Sequence, residues 1–448
     1  MRTREAFTWL NGAGVFAFIA LLVVMPWSYA VVPFLLGAVW LVGLTFAAHD
    51  ADWQGLDRED GMLCLTLLAY GGCWLLDVGR TGDWPVGEGN QGVLLPLWPL
   101  LAAALLVWLR LYPPRPSVPL WAACIGALGA GGIALYERVV LEHERASNGI
   151  NAIPFGNLSL LLGAFSLLTA LWGLRPEQSR PPWWLAFALL AAAAGLLGSL
   201  LSGTRGGWVA MPLLLLLVYR AAAGLVSARV RYCATGGILV LVTVVALMPQ
   251  SGVTERVGLA VSNVQQYWQD DSRGTSVGLR LEMWRAGYAL FLERPLAGWG
   301  EGHLEAARDA LVEHGTLHPG IRHHDQLHSD LIDTAARRGV LGLSVLLLFY
   351  LVPLWLFWRR LSSSSREPAV RVLAAAGMMV PVAFIDFGLT QSMLRDVRGL
   401  SGYLGLCIAC WAALKHAEAD AGETLYRPVV SPVAGEGRKS AAQGQCPI

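Results

Sequence analysis

The sequence predicts an all-α polytopic membrane protein with about 12 transmembrane helices and one long helical loop. Of its 448 residues, 55% are hydrophobic and only 15% are charged, whereas soluble domains carry about a quarter charged residues. Nineteen Trp and fifty Gly fit this class, because Trp anchors helix ends at the headgroup level and Gly lets membrane helices approach closely. The composition excludes a soluble globular protein and a disordered chain, and the lack of a basic block argues against nucleic acid as a partner.

Apolar segments long enough to cross a bilayer recur along the whole chain. A transmembrane helix needs about 17 to 25 such residues, and short polar breaks separate the segments here. Twelve are predicted to be spans: residues 9–25, 30–48, 62–78, 93–111, 118–136, 153–174, 183–201, 207–223, 233–248, 340–358, 370–389 and 400–414. The first has no small-residue cleavage site at its end, so it is predicted to be an uncleaved span.

Arginine is distributed unevenly between alternate short loops, and positive flanks are retained on the cytoplasmic side. With the N-terminus inside, most of these residues are cytoplasmic, and the opposite short loops carry only Arg80, Arg138, Arg145, Arg205, Arg395 and Arg398. We therefore predict nine spans in residues 1–249, a loop domain on the outer face at 250–339, three spans in 340–416 and a flexible cytoplasmic tail at 417–448.

The loop of about ninety residues between the ninth and tenth spans is too long for a simple connection, and segments of this length usually carry function. It opens with a polar stretch at 250–275. A helix is predicted over 276–293 with Ser276 as its N-cap, and a second helix over about 303–313. After a His-rich turn, a third helix is predicted to run through His328 toward the next span.

Two arginines on the outer side are candidates for binding an anion. Arg205 lies in a break of only a few residues, Ser202-Gly-Thr-Arg-Gly-Gly-Trp208, where the glycines would bring backbone N–H groups close to a ligand. Arg280 lies near the start of the predicted loop helix. Two guanidinium groups could hold a pyrophosphate, because each presents paired donors that match phosphate geometry. The alternative for Arg205 is an interfacial side chain that reaches to lipid headgroups.

Six of the nine His belong to the long loop, namely His303, His314, His318, His323, His324 and His328. A zinc site would be one interpretation, but the loop has no His-x-x-x-His or His-Glu-x-x-His element and no matching carboxylate pattern. We therefore predict no metal. A His near neutral pKa is better suited to act as a general base toward a hydroxyl, and the other loop His are predicted to be ordinary exposed residues.

Three further residues are candidates for binding substrate. Asp386 is an ionisable group inside the eleventh predicted span, where such groups are usually functional, although pairing with an Arg would equally explain it. Trp208 and Trp284 could stack on a sugar or line a lipid path. Both could instead be interfacial anchors.

The sequence His328-Ser329, nine residues, and then Gly339-Val-Leu-Gly342 resembles the signature of the O-antigen ligase and polymerase superfamily. Arg205 in a short outer loop and Arg280 in a Ser-x-Gly-x-Arg sequence resemble the same family pattern, as does the Gly-rich stretch that begins at Pro295. The resemblance implies a GT-C-like fold and an inverting glycosyltransferase at the periplasmic face of the inner membrane of a Gram-negative bacterium.

The resemblance also implies the substrates and the roles of the residues. O-antigen polysaccharide would move from undecaprenyl diphosphate, the donor, to the lipid A-core, the acceptor, without a cofactor. Arg205 and Arg280 would stabilise the departing diphosphate, and His328 would orient or deprotonate the acceptor hydroxyl. Membrane lipid is the remaining partner, since the donor is held in the bilayer.

Three alternatives remain open at this point. An O-antigen polymerase and a protein O-oligosaccharyltransferase of the same superfamily use the same type of donor and differ in the acceptor. A secondary transporter is the alternative from a different class. Asp386 favours a transporter, but the two halves of the chain show no convincing repeat.

The predicted orientation can be tested with reporter fusions. A reporter fused after Ser227 or after Ser364 should stay in the cytoplasm, because both positions follow Arg-rich flanks. A reporter inserted within residues 315–320 should be external. An internal location for that insertion would contradict the orientation and with it any chemistry on the outer face.

Overall fold

The computed structural model describes residues 2–47, 53–85, 94–175, 181, 183–204, 206–247, 258, 262, 265, 267, 273–362 and 367–426. Helix makes up 80% of the structure, and these ranges contain no β-strand. The principal α-helices are α1 (Arg2–Leu21), α2 (Ser28–Ala47), α3 (Arg58–Thr81), α4 (Trp98–Leu111), α5 (Val118–Leu135), α6 (Ala152–Gly173), α7 (Trp183–Leu201), α8 (Met211–Ala221), α9 (Ala228–Leu247), α10 (Ser276–Glu293), α11 (His303–Glu313), α12 (Asp330–Leu361), α13 (Pro368–Thr390) and α14 (Val397–Tyr426).

The predicted class, an all-helical protein that crosses the membrane several times, is confirmed. Each of the twelve predicted spans coincides with a helix. In the described part of the chain, eight helices are long and apolar enough to cross a bilayer, and the apolar segments Leu95–Leu111 and Gly206–Ala221 are shorter. The bilayer explains why hydropathy alone finds these helices, since a spanning segment must satisfy every backbone hydrogen bond internally.

Three helices form the centre of the bundle. The most apolar windows of α6, α13 and α14 are 83%, 83% and 89% buried, whereas those of α2, α3, α7 and α12 are 33–39% buried. Most residues in the windows of the second group are not buried inside the protein, as expected for helices that contact lipid tails. The N-terminal end of α6 and the C-terminal end of α13 lie beside the site described below.

The structure corrects three details of the predicted loop and tail. Thr275, not Ser276, is the N-cap of α10, because its hydroxyl accepts a hydrogen bond from the Gly278 N–H at 3.1 Å. The helix predicted to run through His328 begins at Asp330 instead. The last helix continues to Tyr426, beyond residue 417 where the tail is predicted to start. Residues 427–448 and most of the polar stretch at 250–275 lie outside the described residues.

Helix α12 is broken at Gly339, which has φ +61° and ψ −157°. Residues 295–302, here called the Gly-rich segment, pack against this break. The Val340 N–H donates to the Pro295 carbonyl at 2.8 Å, and the Gly300 N–H donates to the Arg337 carbonyl at 2.8 Å. The backbone groups released by the break thus find partners in the loop, as buried backbone groups must. The contact fixes the loop domain to the tenth predicted span.

Buried charges strengthen the same contact. Glu301 of the Gly-rich segment is bonded to Arg337 at 3.1 Å, Arg338 at 2.5 Å and Arg395 at 2.7 Å. Burial alone raises the pKa of the Glu301 carboxyl, but the three guanidinium groups outweigh burial and hold the pKa below its usual range. Arg80, at the end of α3, adds hydrogen bonds to the carbonyls of the same segment.

The break predicts a strict requirement for glycine at position 339. A Cβ atom there would lie 2.3 Å from the Leu296 carbonyl oxygen, and the positive φ disfavours any side chain. Gly339→Ala should therefore lower the free energy of unfolding by at least about 1–3 kcal/mol, measured as thermal unfolding in detergent. Gly132→Ala is the matched control, since a Cβ on that α5 residue would meet nothing within 4 Å. Equal losses in the two variants would contradict this account.

Candidate active site

His328 lies in the left-handed backbone region, with φ +50°, two residues before α12 begins. Few residues other than glycine adopt this conformation, and in native structures it often marks a functional position. The side chain is half-buried. Its Nδ1 atom lies 2.6 Å from Oε1 of Gln391, which directly follows α13, and its Nε2 atom lies 3.4 Å from Nδ1 of His324. His328 is thus held between the loop and the C-terminal end of α13.

The surroundings of His328 favour its neutral form. Burial lowers the pKa of the imidazole to about 4, the hydrogen bond with Gln391 opposes this shift in part, and the charge on Arg280 adds to it. At neutral pH the ring is therefore uncharged and carries one proton. The Gln391 oxygen can only accept, so that proton is on Nδ1, and the lone pair of Nε2 faces Nδ1 of His324. A neutral imidazole with an unprotonated Nε2 can act as a base.

Arg280, on α10, lies beside His328, and a second guanidinium lies nearby. Burial and then repulsion from Arg145 lower the pKa of Arg280. Arg145 donates to the Ser202 carbonyl at 2.7 Å, and Nη1 of Arg280 lies 3.4 Å from the Ser276 hydroxyl. Within the described residues neither guanidinium has a carboxylate partner, and the buried Nε of Arg280 has no hydrogen-bond partner. Two like charges without a counter-ion are typical of an anion-binding site.

Arg205 itself lies outside the described residues, but its neighbours are placed. Thr204 donates to the Ala152 carbonyl at 2.9 Å and lies 3.4 Å from Nη2 of Arg145. A Cβ on Gly206 would lie 2.5 Å from the Thr390 hydroxyl oxygen, so this segment packs against the end of α13. Thr390 precedes Gln391. Thr204 and Gly206 therefore lie close to Arg145 and to the end of α13 that precedes Gln391.

Comparison with known proteins gives this site a family. Residues 187–347 match the protein-family model described as O-antigen ligase. This match supports membership of the O-antigen ligase and polymerase superfamily. The match includes the short loop of Arg205, the helix of Arg280, and the His328 and Gly339 signature. An uncharacterized protein of Haemophilus influenzae is 24% identical over 382 residues, which cover 85% of this chain and 92% of that relative.

Membership of this superfamily indicates a glycosyltransferase-like enzyme in a membrane. The superfamily covers O-antigen ligases and related polymerases, and it implies lipid-linked polysaccharide substrates. A multi-pass helical protein suits substrates of this kind, because a lipid-linked donor stays in the bilayer.

The remaining residues predicted to bind substrate are Trp284, Trp208 and Asp386, and each has its own set of contacts. Trp284 lies one turn after Arg280, and its buried indole N–H has no partner among the residues described. Trp208 is half-buried, with its indole nitrogen 3.3 Å from the Ser199 hydroxyl. Asp386 accepts a hydrogen bond from the Ala210 N–H at 3.0 Å, at the start of α8. This hydrogen bond is a structural reason for an acidic residue at position 386 that requires no ligand. The binding of substrate by Asp386 stays a prediction.

The loop histidines do not converge on one point. His303, His314 and His323 are exposed, and Nδ1 of His318 accepts from the Gly320 N–H at 3.1 Å in a tight turn. Across the described ranges, no group of three His, Cys, Asp or Glu side chains could hold a metal ion. Independence from metal stays a prediction that only an assay can test.

Sequence reasoning missed Gln391, Arg145 and His324 as members of the site. One sequence feature could have indicated Arg145, because it is among the few Arg in the short loops predicted to face outward. Gln391 directly follows the predicted span 370–389, where a polar residue is ordinary. His324 precedes His328 by four residues, a separation that suggests contact only within a helix, and no helix forms there.

Proposed function

We propose that this protein is an O-antigen ligase that transfers polysaccharide from undecaprenyl diphosphate to the lipid A-core. The observation that carries the proposal is a neutral His328 beside guanidinium groups that have no carboxylate partner in the described structure. The match of residues 187–347 to a family model described as O-antigen ligase supports this class of reaction. We place the site on the periplasmic face of a Gram-negative inner membrane, as the Arg distribution predicts.

The proposed reaction is one displacement at the anomeric carbon of the donor sugar. Nε2 of His328 accepts the proton of the acceptor hydroxyl as the hydroxyl oxygen bonds to that carbon. The bond between the carbon and the diphosphate oxygen breaks at the same time, and the diphosphate leaves with the electron pair. Attack opposite the leaving group inverts the configuration. The donor bond is already activated, so the reaction consumes no nucleotide.

Arginine suits the other half of the reaction. Negative charge develops on the diphosphate as it departs, and fixed positive groups aimed at that charge lower the barrier. Arg280 lies near both His328 and Arg145, and Arg145 contacts Thr204, the neighbour of Arg205 in the sequence. Each guanidinium can donate two parallel hydrogen bonds to phosphate oxygens, which an ammonium group cannot reproduce.

Two alternatives are weaker. A polymerase would use the same donor chemistry with a second lipid-linked glycan as the acceptor, so an assay that offers both acceptors separates the two activities. The sequence feature that favoured a secondary transporter is Asp386. The carboxylate of Asp386 accepts a hydrogen bond from the Ala210 N–H at the start of α8, so a structural role can account for it.

Alanine variants test the assigned roles. In a transfer assay with purified protein, lipid-linked glycan and lipid A-core, His328→Ala should lower the rate by about 10²–10⁴-fold, the usual contribution of a general base. Arg205→Ala and Arg280→Ala should each cost about 10²–10³-fold, and Arg→Lys should recover little. Arg145→Ala should lower the transfer rate less, because Arg145 is exposed.

His318→Ala and His323→Ala are matched controls and should lower the transfer rate only slightly. Full transfer by any one of the first three variants would remove that residue's role.

Metal dependence is a separate test. If guanidinium groups offset the charge of the leaving diphosphate, transfer should continue in excess EDTA without added Mg²⁺ or ATP. A site that relied on zinc or magnesium would lose its main electrostatic stabilisation on chelation. Activity lost in EDTA and restored by one divalent ion would make a metal ion part of the site and overturn this account.

A further inference from the structure

The contact between His328 and Gln391 joins two residues that are 63 positions apart in the chain, at 2.6 Å. Gln391 is only 2% exposed. Its backbone is held on both sides, since its N–H donates to the Phe387 carbonyl at 3.1 Å and its carbonyl accepts from the Met393 N–H at 2.9 Å. The side-chain amide therefore has little freedom, and its oxygen presents a fixed acceptor to the imidazole.

We propose that Gln391 is a positioning residue that keeps the proton of His328 on Nδ1 and thereby makes Nε2 the base. This inference rests on the proposed function. Nδ1 donates to Gln391, which can accept but cannot take the proton. The ring cannot change to the other neutral tautomer without losing this buried hydrogen bond and facing the amide oxygen with an unprotonated nitrogen. Nε2 is then left to receive the acceptor proton.

The choice of a neutral partner follows from the charges around the ring. Arg280 on α10 and His324 in the preceding turn disfavour a second proton on His328, and Asp333 on α12 favours it. The Asp333 carboxylate is already engaged, since it accepts from the Leu327 N–H at 3.0 Å and from Arg337 at 2.9 Å. Gln391 thus orients the ring and, because it carries no charge, stabilises the protonated form less than a carboxylate would. A carboxylate at the same position would hold the proton that the base must receive and release.

Two substitutions at Gln391 separate orientation from charge. Gln391→Leu removes the acceptor, and kcat should fall on the order of 10- to 100-fold, as for other lost partners of a functional His, while KM for the donor stays within about twofold. Gln391→Glu keeps an acceptor and adds charge, so it should retain more transfer than Gln391→Leu. Ser392→Ala is the matched control, since this neighbour is fully buried and its hydroxyl has no partner in the described structure.

The charge of the side chain at position 391 determines the direction in which the pH dependence of kcat/KM shifts. The native imidazole, with a pKa of about 4, is unprotonated and available as a base at any pH above that value. A carboxylate at 391 favours the protonated ring and should move the acid limb of kcat/KM upward by about one to two pH units. Gln391→Leu should leave the limb at or below its native position. If Gln391 had only a structural role, both substitutions would lower activity, but the acid limb of kcat/KM would not move upward in Gln391→Glu alone.

A second measurement needs no transfer reaction. Diethylpyrocarbonate modifies only neutral imidazole, so the rate of His328 modification against pH, followed by peptide mass spectrometry, gives the pKa in folded protein. The midpoint should rise in Gln391→Glu and remain native in Ser392→Ala. An unchanged midpoint in Gln391→Glu, with native kinetics in Gln391→Leu, would overturn the inference. Full transfer by His328→Ala would instead overturn the proposed function, whatever the modification experiment gives.

Discussion

The break in α12 at Gly339 is the constraint on which the rest of the site depends. Because the helix stops there, backbone groups of Arg337 and Val340 bond to the Gly-rich segment, and the loop domain is fixed to a membrane span. The nine residues between Ser329 and Gly339 are the first part of α12, Asp330 to Arg338. The stretch from His328 to Gly339 is therefore one structural unit: a short helix with His328 just before one end and an anchored break at the other. Its fixed length sets the distance between His328 and the anchor.

Two groups of arginines on the outer side of the protein differ in their partners. Arg337, Arg338 and Arg395 are buried and neutralised by Glu301 and neighbouring carboxylates. Such a buried cluster contributes little net stability but fixes geometry, since removal of one partner leaves an uncompensated charge. Arg280 and Arg145 have no carboxylate partner among the described residues. The same residue type thus serves as a structural anchor in one group and, in the proposed function, as an anion-binding group in the other.

The helices could be predicted from the sequence because the bilayer imposes their length and apolarity, and the loop helix at 303–313 followed from its flanking glycines and turn residues. The N-cap of α10 was misplaced by one residue, since Thr275 and Ser276 are both good caps. His328 could be singled out because it begins the sequence that resembles the family signature, and Arg280 because it lies in a Ser-x-Gly-x-Arg sequence at the start of the predicted loop helix. Gln391 could not, because its role comes from a contact across 63 residues that no local pattern records. Asp386 shows that an unusual residue type is not by itself evidence of function. Its carboxylate lies in a predicted span and accepts a structural hydrogen bond from the Ala210 N–H.

Under the proposed function, the donor itself prepares the base. In the free protein, burial and the charge on Arg280 keep the pKa of His328 near 4, so the ring is neutral but a weak proton acceptor. A bound diphosphate would neutralise Arg280 and add negative charge near the ring, and both changes raise the pKa of His328 toward the range in which a general base is most effective. The acceptor hydroxyl then meets a competent base only when a donor is in place. A carboxylate partner in place of Gln391 would raise the pKa permanently and remove this dependence, which gives a physical reason for a neutral amide at that position.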